Sequence, residues 1–214
     1  MDRKSGIVIQ ICIALAGIVL FLPGLGGVRL FDWDEINFAE SAREMLITGD
    51  LLNVQINFES FWEKPPLFIW MQALCMKVFG VGEMAARLPN AIAGIVTLLV
   101  LFNIGRRCAG NRFGLLWVLM YAASFFPFFY FKSGIIDPWF NLFIFLGIYF
   151  FSRYADPQAR GRMMQNAALS ALFIGLGILT KGPVAFLIFI LTFGVWLICR
   201  RFRFEFRWKD VAVY

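Results

Sequence analysis

Six runs of predominantly apolar residues, at about 7–27, 88–105, 113–131, 135–152, 164–180 and 183–200, dominate this chain of 214 residues. Each comes near the roughly 20 residues that cross the hydrocarbon core of a bilayer, where every backbone N–H and C=O must be satisfied within its own segment. A soluble domain rarely carries even one such run, so six of them predict an all-α integral membrane protein. Composition agrees: 60% of the residues are hydrophobic, 18% aromatic and only 16% charged, and mean hydropathy is +0.74. The first run follows the basic start MDRKSG and is longer than a usual signal core. It reads as a retained anchor, with a cleaved secretory signal as the alternative.

Basic residues orient the bundle. With the N-terminus in the cytoplasm, 13 of the 20 Lys and Arg fall inside, among them Arg106, Arg107, Arg112, Arg153, Arg160, Arg162 and the cluster between Arg200 and Lys209, whereas ten of the 14 acids fall outside. That is the asymmetry the positive-inside rule demands. The net charge of +6 is then a topogenic signal, and no nucleic-acid partner is expected from it. The outer face receives one long segment, 28–87, and two tight corners, 132–137 and 181–183. Within the long segment, LFIWMQALCMKVF at 67–79 is apolar on one side and too short to cross, which predicts an interfacial or partly buried helix.

Residue types narrow the chemistry. There is no histidine, so acid/base work has to come from Asp, Glu or Lys. Cys12, Cys108 and Cys199 lie in or beside apolar runs, leaving only Cys75 in the long polar segment. Neither an internal disulfide nor a cysteine metal site is expected.

The unusual polar residues collect on the outer segments. DWDEINFAESAREML at 32–46 holds five acids in fifteen residues. Asp32 is placed to cap a helix whose apolar positions Ile36, Ala39, Ala42 and Met45 recur at three-residue spacing, with Gly49 as its stop. Asp34, Asn37, Ser41 and Glu44 share the opposite face, and the plain reading is a solvated amphipathic helix lying on the membrane. Further along come Glu63 and Lys64 in FWEKPPL, Arg87 in ARLP, Asp137 in GIIDPWF and Lys181 in TKGP. Asp137 sits between two apolar runs, where a charge is costly, although an Asp before Pro138 also starts a helix cheaply. Lys64 and Lys181 are equally suited to snorkelling at an interface, and Arg43 and Arg87 to pairing with Glu40 and Glu83 at helical spacing.

The ordered set D-E-x-x-x-A-E-x-A-R-E-M, G-D, F-W-E-K-P-P-L, F-G-V, A-A-R-L-P and L-T-K-G-P-V resembles the GT-C membrane glycosyltransferases of the protein-mannosyltransferase and aminoarabinosyltransferase type, over nearly the whole chain. The resemblance implies a GT-C type transmembrane helical bundle with amphipathic juxtamembrane helices and a cavity on the outer, periplasmic face of the inner membrane. It implies a polyprenyl-phosphate sugar donor and a lipid or protein acceptor. Asp34 matches the family's essential Asp and becomes the base candidate; Asp137 matches its second Asp. Lys64, then Lys181 and Arg43, are the candidates for the donor phosphate. Glu35, Glu63 and Arg87 are supporting residues, Glu63 by orienting Lys64 or binding a cation. No metal is obligatory where Lys and Arg hold the phosphate, and a divalent cation is compatible with the site.

Two departures from the family pattern stand out. Asn37-Phe38 replaces the Arg-Tyr that many aminoarabinose transferases carry, which removes one phosphate contact and weakens lipid A as the acceptor. The chain also ends at Tyr214, where family enzymes continue through further spans, and so looks like the N-terminal part of such an enzyme. A polyprenyl-lipid transporter or flippase-like protein and a non-catalytic assembly subunit are the competing classes. A transporter would place its ionisable residues mid-span, and here they line the outer mouths.

Overall fold

The computed structural model describes residues 3–156 and 162–201. Arg160 and the basic residues Arg203, Arg207 and Lys209 that entered the topology count lie outside them. The described chain is helical apart from one two-residue-per-strand hairpin. Its elements are α1 (Arg3–Phe21), α2 (Asp34–Thr48), β1 (Gln55–Ile56), β2 (Glu59–Ser60), α3 (Leu67–Phe79), α4 (Glu83–Ala122), α5 (Phe125–Phe131), α6 (Asp137–Tyr154), α7 (Met163–Lys181) and α8 (Val184–Cys199). By length and apolarity α4 and α7 are long enough to cross a membrane, with shorter apolar helices at Ser5–Phe21, Leu67–Phe79 and Val184–Cys199.

Helix ends fall where the backbone chemistry puts them. α1 stops at Phe21, short of the expected 27, because Pro23 restricts the residue before it and supplies no N–H to continue the ladder. α4 is two helical arms that meet at Ala109 and Gly110, both with non-helical backbone and Gly110 at a φ of 86°. That conformation favours glycine. Beyond it Gly105 faces Gly114 so closely that a Cβ on Gly105 would stand 2.8 Å from the Gly114 Cα. The two arms therefore fold back on each other as a tight helical hairpin, joined through the basic stretch 106–112. The second arm ends at Ala122 and α5 begins at Phe125, so the run 113–131 is broken. Pro127 explains the break, since its ring in a continuous helix would collide with the carbonyl four residues earlier.

The chain divides into two compact units, Met1–Phe61 with Phe68–Pro138, and Trp62–Leu67 with Trp139–Tyr214. In the first, the apolar sides of α2 and α3 bury Ala39, Ala42, Met45, Ile69, Ala73 and Met76 against Ala85 and Ala86 at the start of α4. α1 packs on α4 through small residues: a Cβ on Gly94 would meet the Phe21 and Phe131 rings at 2.9 and 2.8 Å. In the second unit, Phe140, Ile144, Phe151, Ile174 and Phe189 form the core of α6, α7 and α8. There the Ser170 hydroxyl donates to the Gly147 carbonyl at 2.8 Å, a bond between helices of the kind that glues apolar bundles.

Candidate functional site

At the centre of the first unit lies a buried ion pair, and the outer segments are built around it. Arg87, in the first turns of α4, is 3% exposed and Glu35, in the first turn of α2, 1%. The guanidinium meets the carboxylate with both forks, Nε to Oε1 at 2.8 Å and Nη2 to Oε2 at 2.9 Å. Its other N–H groups donate to the carbonyls of Leu25, Val28 and Arg29 at 2.8, 2.7 and 3.0 Å. All five donors of the side chain are thus used. On the other side, Glu35 Oε2 also accepts from the Phe31 N–H at 2.6 Å and Oε1 from the Gly134 N–H. A bidentate, fully satisfied pair is the one arrangement in which two buried charges hold a structure together rather than strain it. The helical-spacing partner expected for Arg87 was Glu83; the structure gives it Glu35, 52 residues away.

Around this pair the corner before α6 is pinned as well. Asn90 Nδ2 donates to the carbonyls of Ser133 and Ile135, both at 2.6 Å, and Gln72 Nε2 to the Ala86 carbonyl at 2.9 Å. Gly134 fits where nothing larger does: a Cβ there would stand 3.2 Å from each of the Ala86 carbonyl, Gln72 Nε2 and Glu35 Cγ. Asp137 opens α6 three residues beyond that glycine, with Pro138 in the first turn, where a missing N–H is harmless.

Asp34 is the first residue of α2. It is half-buried, and its carboxylate has no hydrogen-bond or ion-pair partner among the described residues. Asp32 does not cap this helix. The cap position is Trp33, with a φ of 74° and ψ of −106°, and no side chain bonds the free N–H groups. Glu35 occupies the inner side of the first turn, and its bond to the Phe31 N–H draws the preceding chain inward before Asp32 can reach back. Nor is the polar face of α2 solvated. Ser41 and Glu44 are fully buried while Ile36 is 39% exposed, because the β1–β2 hairpin covers that face and the Phe58 N–H donates to Glu44 Oε2 at 2.9 Å. The stop at Gly49 is as the spacing indicates, in the left-handed conformation with its N–H on the Met45 carbonyl.

Arg43 is held by Glu40, Nε to Oε2 at 2.9 Å. The hydrogen bond keeps the Glu40 carboxyl below its ordinary pKa and raises that of Arg43. Arg43 Nη1 donates to no described residue. The first unit therefore carries Asp34, Glu35, Arg43, Arg87 and Asp137, and of these it joins Glu35 directly to Arg87. The second unit carries Glu63, Lys64 and Lys181. Lys64 and Glu63 have no hydrogen-bond or ion-pair partner among the described residues, Lys64 half-buried and Glu63 exposed. The Lys181 ammonium sits 5.4 Å from the centre of the Phe140 ring.

Sequence reasoning passed over Gln72, Asn90 and Gly134. An amide at the mouth of an apolar run was the available signal, since a polar group there needs a partner.

The family described as dolichyl-phosphate-mannose-protein mannosyltransferase matches residues 63–214. An undecaprenyl phosphate-alpha-4-amino-4-deoxy-L-arabinose arabinosyl transferase of Edwardsiella ictaluri is 29% identical over 204 residues, covering 94% of this chain and 36% of the relative. One of Pseudomonas fluorescens is 28% identical over 203 residues, again 94% and 36%. Among solved structures, ArnT from Cupriavidus metallidurans in the apo state superposes with a TM-score of 0.84 at 24% identity. The same protein bound to undecaprenyl phosphate gives 0.75 at 25% identity. Both comparisons cover 99% of this chain and 40% of ArnT. The chain thus has the GT-C membrane fold of ArnT and spans little more than a third of the length of these arabinosyl transferases.

Proposed function

Because this chain belongs to the dolichyl-phosphate-mannose-protein mannosyltransferase family, we propose that it forms the base-bearing part of a glycosyltransferase that moves a hexosyl or pentosyl group from a polyprenyl-phosphate donor to a lipid or protein acceptor outside the membrane. The observation that carries the reading is the pairing of opposites at the start of α2. Glu35 is neutralised and fully bonded, whereas Asp34 beside it keeps a free, half-buried carboxylate. One acid anchors the turn, and the other is left for chemistry.

In the reaction, Asp34 takes the proton of the acceptor hydroxyl as that oxygen bonds to the anomeric carbon. The bond from the anomeric carbon to the phosphate oxygen breaks on the opposite side, and its electron pair leaves with the polyprenyl phosphate. Lys64 and Lys181, with the free Nη1 edge of Arg43, supply positive charge for that leaving group. Glu63 orients Lys64 or binds a cation, and Asp137 is the second acid of the site. Relatives named for an undecaprenyl-linked sugar, and a matching structure that holds undecaprenyl phosphate, support the donor class.

The test is Asp34→Asn in the product of the complete gene. The amide is nearly isosteric but accepts no proton, so donor affinity should hold while single-turnover transfer falls by roughly two to four decades, the worth of general-base catalysis. Transfer at the parent's rate would remove Asp34 from the chemistry.

A further inference from the structure

Three aromatic residues flank Asp34, and they have different fates. Phe38, one turn along α2, is fully buried against Phe68. Phe31 lies against Phe129, with the Arg87 guanidinium 5.6 Å from its ring centre. Trp33 is 82% exposed and makes no ring contact among the described residues.

Its backbone is the more unusual feature. A φ of 74° with ψ of −106° lies outside the left-handed helical basin as well as the two main ones, and for a bulky residue that is a genuine outlier. Pins on either side impose it: the Phe31 N–H on Glu35 Oε2, and the Asn37 N–H on the Trp33 carbonyl at 3.0 Å. A glycine would take this conformation without strain. The chain instead puts its largest side chain there and buries almost none of it. Strain kept at such a position is characteristic of functional sites.

We propose that Trp33 is a specificity-determining residue whose indole forms the apolar platform for the sugar ring of the donor, beside the carboxylate of Asp34. A sugar presents a face of C–H groups rimmed by hydroxyls. A flat aromatic surface and a free carboxylate on consecutive residues offer a partner for each. A tryptophan that served only as an interfacial anchor for the membrane would need no such backbone, although that role accounts equally for exposure. The proposal rests on the glycosyltransferase reading above and names the part of the donor that this residue meets.

The experiment uses the complete gene product with Trp33→Gly, Trp33→Leu and Trp33→Phe, and two probes, bare undecaprenyl phosphate and undecaprenyl phosphate bearing 4-amino-4-deoxy-L-arabinose. Trp33→Gly should relieve the backbone and leave the thermal transition unchanged or higher. Its affinity for the sugar-bearing lipid should fall about three- to tenfold, the worth of an aromatic contact, while bare undecaprenyl phosphate binds as before. Trp33→Leu, apolar but without a flat face, should lose the same preference, and Trp33→Phe should recover most of it. Undiminished affinity for the sugar-bearing lipid in the Gly and Leu variants would overturn the platform. An equal loss for both lipids would make Trp33 a lipid anchor instead. Because these readouts are affinities, they stand apart from the Asp34→Asn turnover test: failure of one leaves the other to be judged on its own.

Discussion

Glu35 and Arg87 meet through two parallel hydrogen bonds of 2.8 and 2.9 Å in a site from which solvent is excluded, and between them they tie the loop that follows α1, the start of α2, the start of α4 and the corner before α6. What stands next to the free carboxylate is therefore held rigidly by charges that are themselves fully spent.

Removing one partner strands the other. Arg87→Ala should cost about 3–5 kcal/mol, the penalty of an uncompensated buried charge, and would appear as loss of folded protein after mild detergent extraction. Arg87→Lys should recover little, because one ammonium cannot reproduce five directed N–H bonds. Glu35→Gln keeps the volume and loses the charge, so it should fall between parent and Glu35→Ala. Parent-like thermal unfolding for both alanine variants would remove the pair from its structural role.

Gly134 gives a second, more local test. Its added methyl in Gly134→Ala would crowd the Ala86 carbonyl, Gln72 and Glu35 at 3.2 Å. The corner should shift by a few tenths of an ångström and destabilise the protein by about 1–3 kcal/mol, the usual range for overpacking a tight site. Asp137 follows three residues later, so transfer activity should fall more than stability alone accounts for. Comparing specific activity of the folded fraction with that of Gly175→Ala, where no atom stands within 4 Å of the added Cβ, separates the two effects.

Much of this was legible before any coordinates. The apolar runs at 135–152, 164–180 and 183–200 fall on α6, α7 and α8, while those at 7–27 and 113–131 run past breaks at Pro23 and Pro127; Gly49 marks the end of α2 and the ordered motifs the family, because each is written in local chemistry. Long-range choices were not. Arg87 had an acid at helical spacing in Glu83, and only the fold shows that Glu35 is within reach. The face of α2 that holds Ser41 and Glu44 reads as a solvated face until the hairpin at 55–60 is seen to cover it. Trp33 at the cap position could not be foreseen either, since a positive φ in tryptophan is imposed from outside by the bonds of Glu35 and Asn37.

Lys64 is expected to hold the donor phosphate. It lies on the loop before α3, half-buried and without a described partner, whereas Lys77 sits in the last turn of α3, where it favours the helix dipole. Lys64→Ala should weaken undecaprenyl phosphate binding by about one to two decades, corresponding to roughly 1.5–3 kcal/mol for a charge-assisted contact, and Lys77→Ala should leave it unchanged. Equal affinities across parent, Lys64→Ala and Lys77→Ala would return Lys64 to snorkelling at the interface.

The sidedness of the chain can be tested at two described positions. Asn57 lies in the turn of the β1–β2 hairpin and Asp156 just beyond α6, where it pairs with Arg153 at 3.0 Å. Between them stand α3, the two arms of α4 with α5, and α6. Thirteen residues of α3 rise only about 20 Å, short of the roughly 30 Å hydrocarbon core, so α3 adds no crossing. Three crossings remain: the first arm of α4, the second arm with α5, and α6. An odd number is expected to put Asn57 and Asp156 on opposite sides, with Asp156 on the cytoplasmic side that the positive-inside rule predicts for its basic neighbours. Reporter fusions at the two positions should give opposite signals, the periplasmic one at Asn57. Matching signals would mean an even number of crossings: either α3 crosses or one arm of the α4 hairpin does not, which would put Asp34 and Asp137 on opposite faces of the membrane and sink the proposed chemistry, or α6 does not cross.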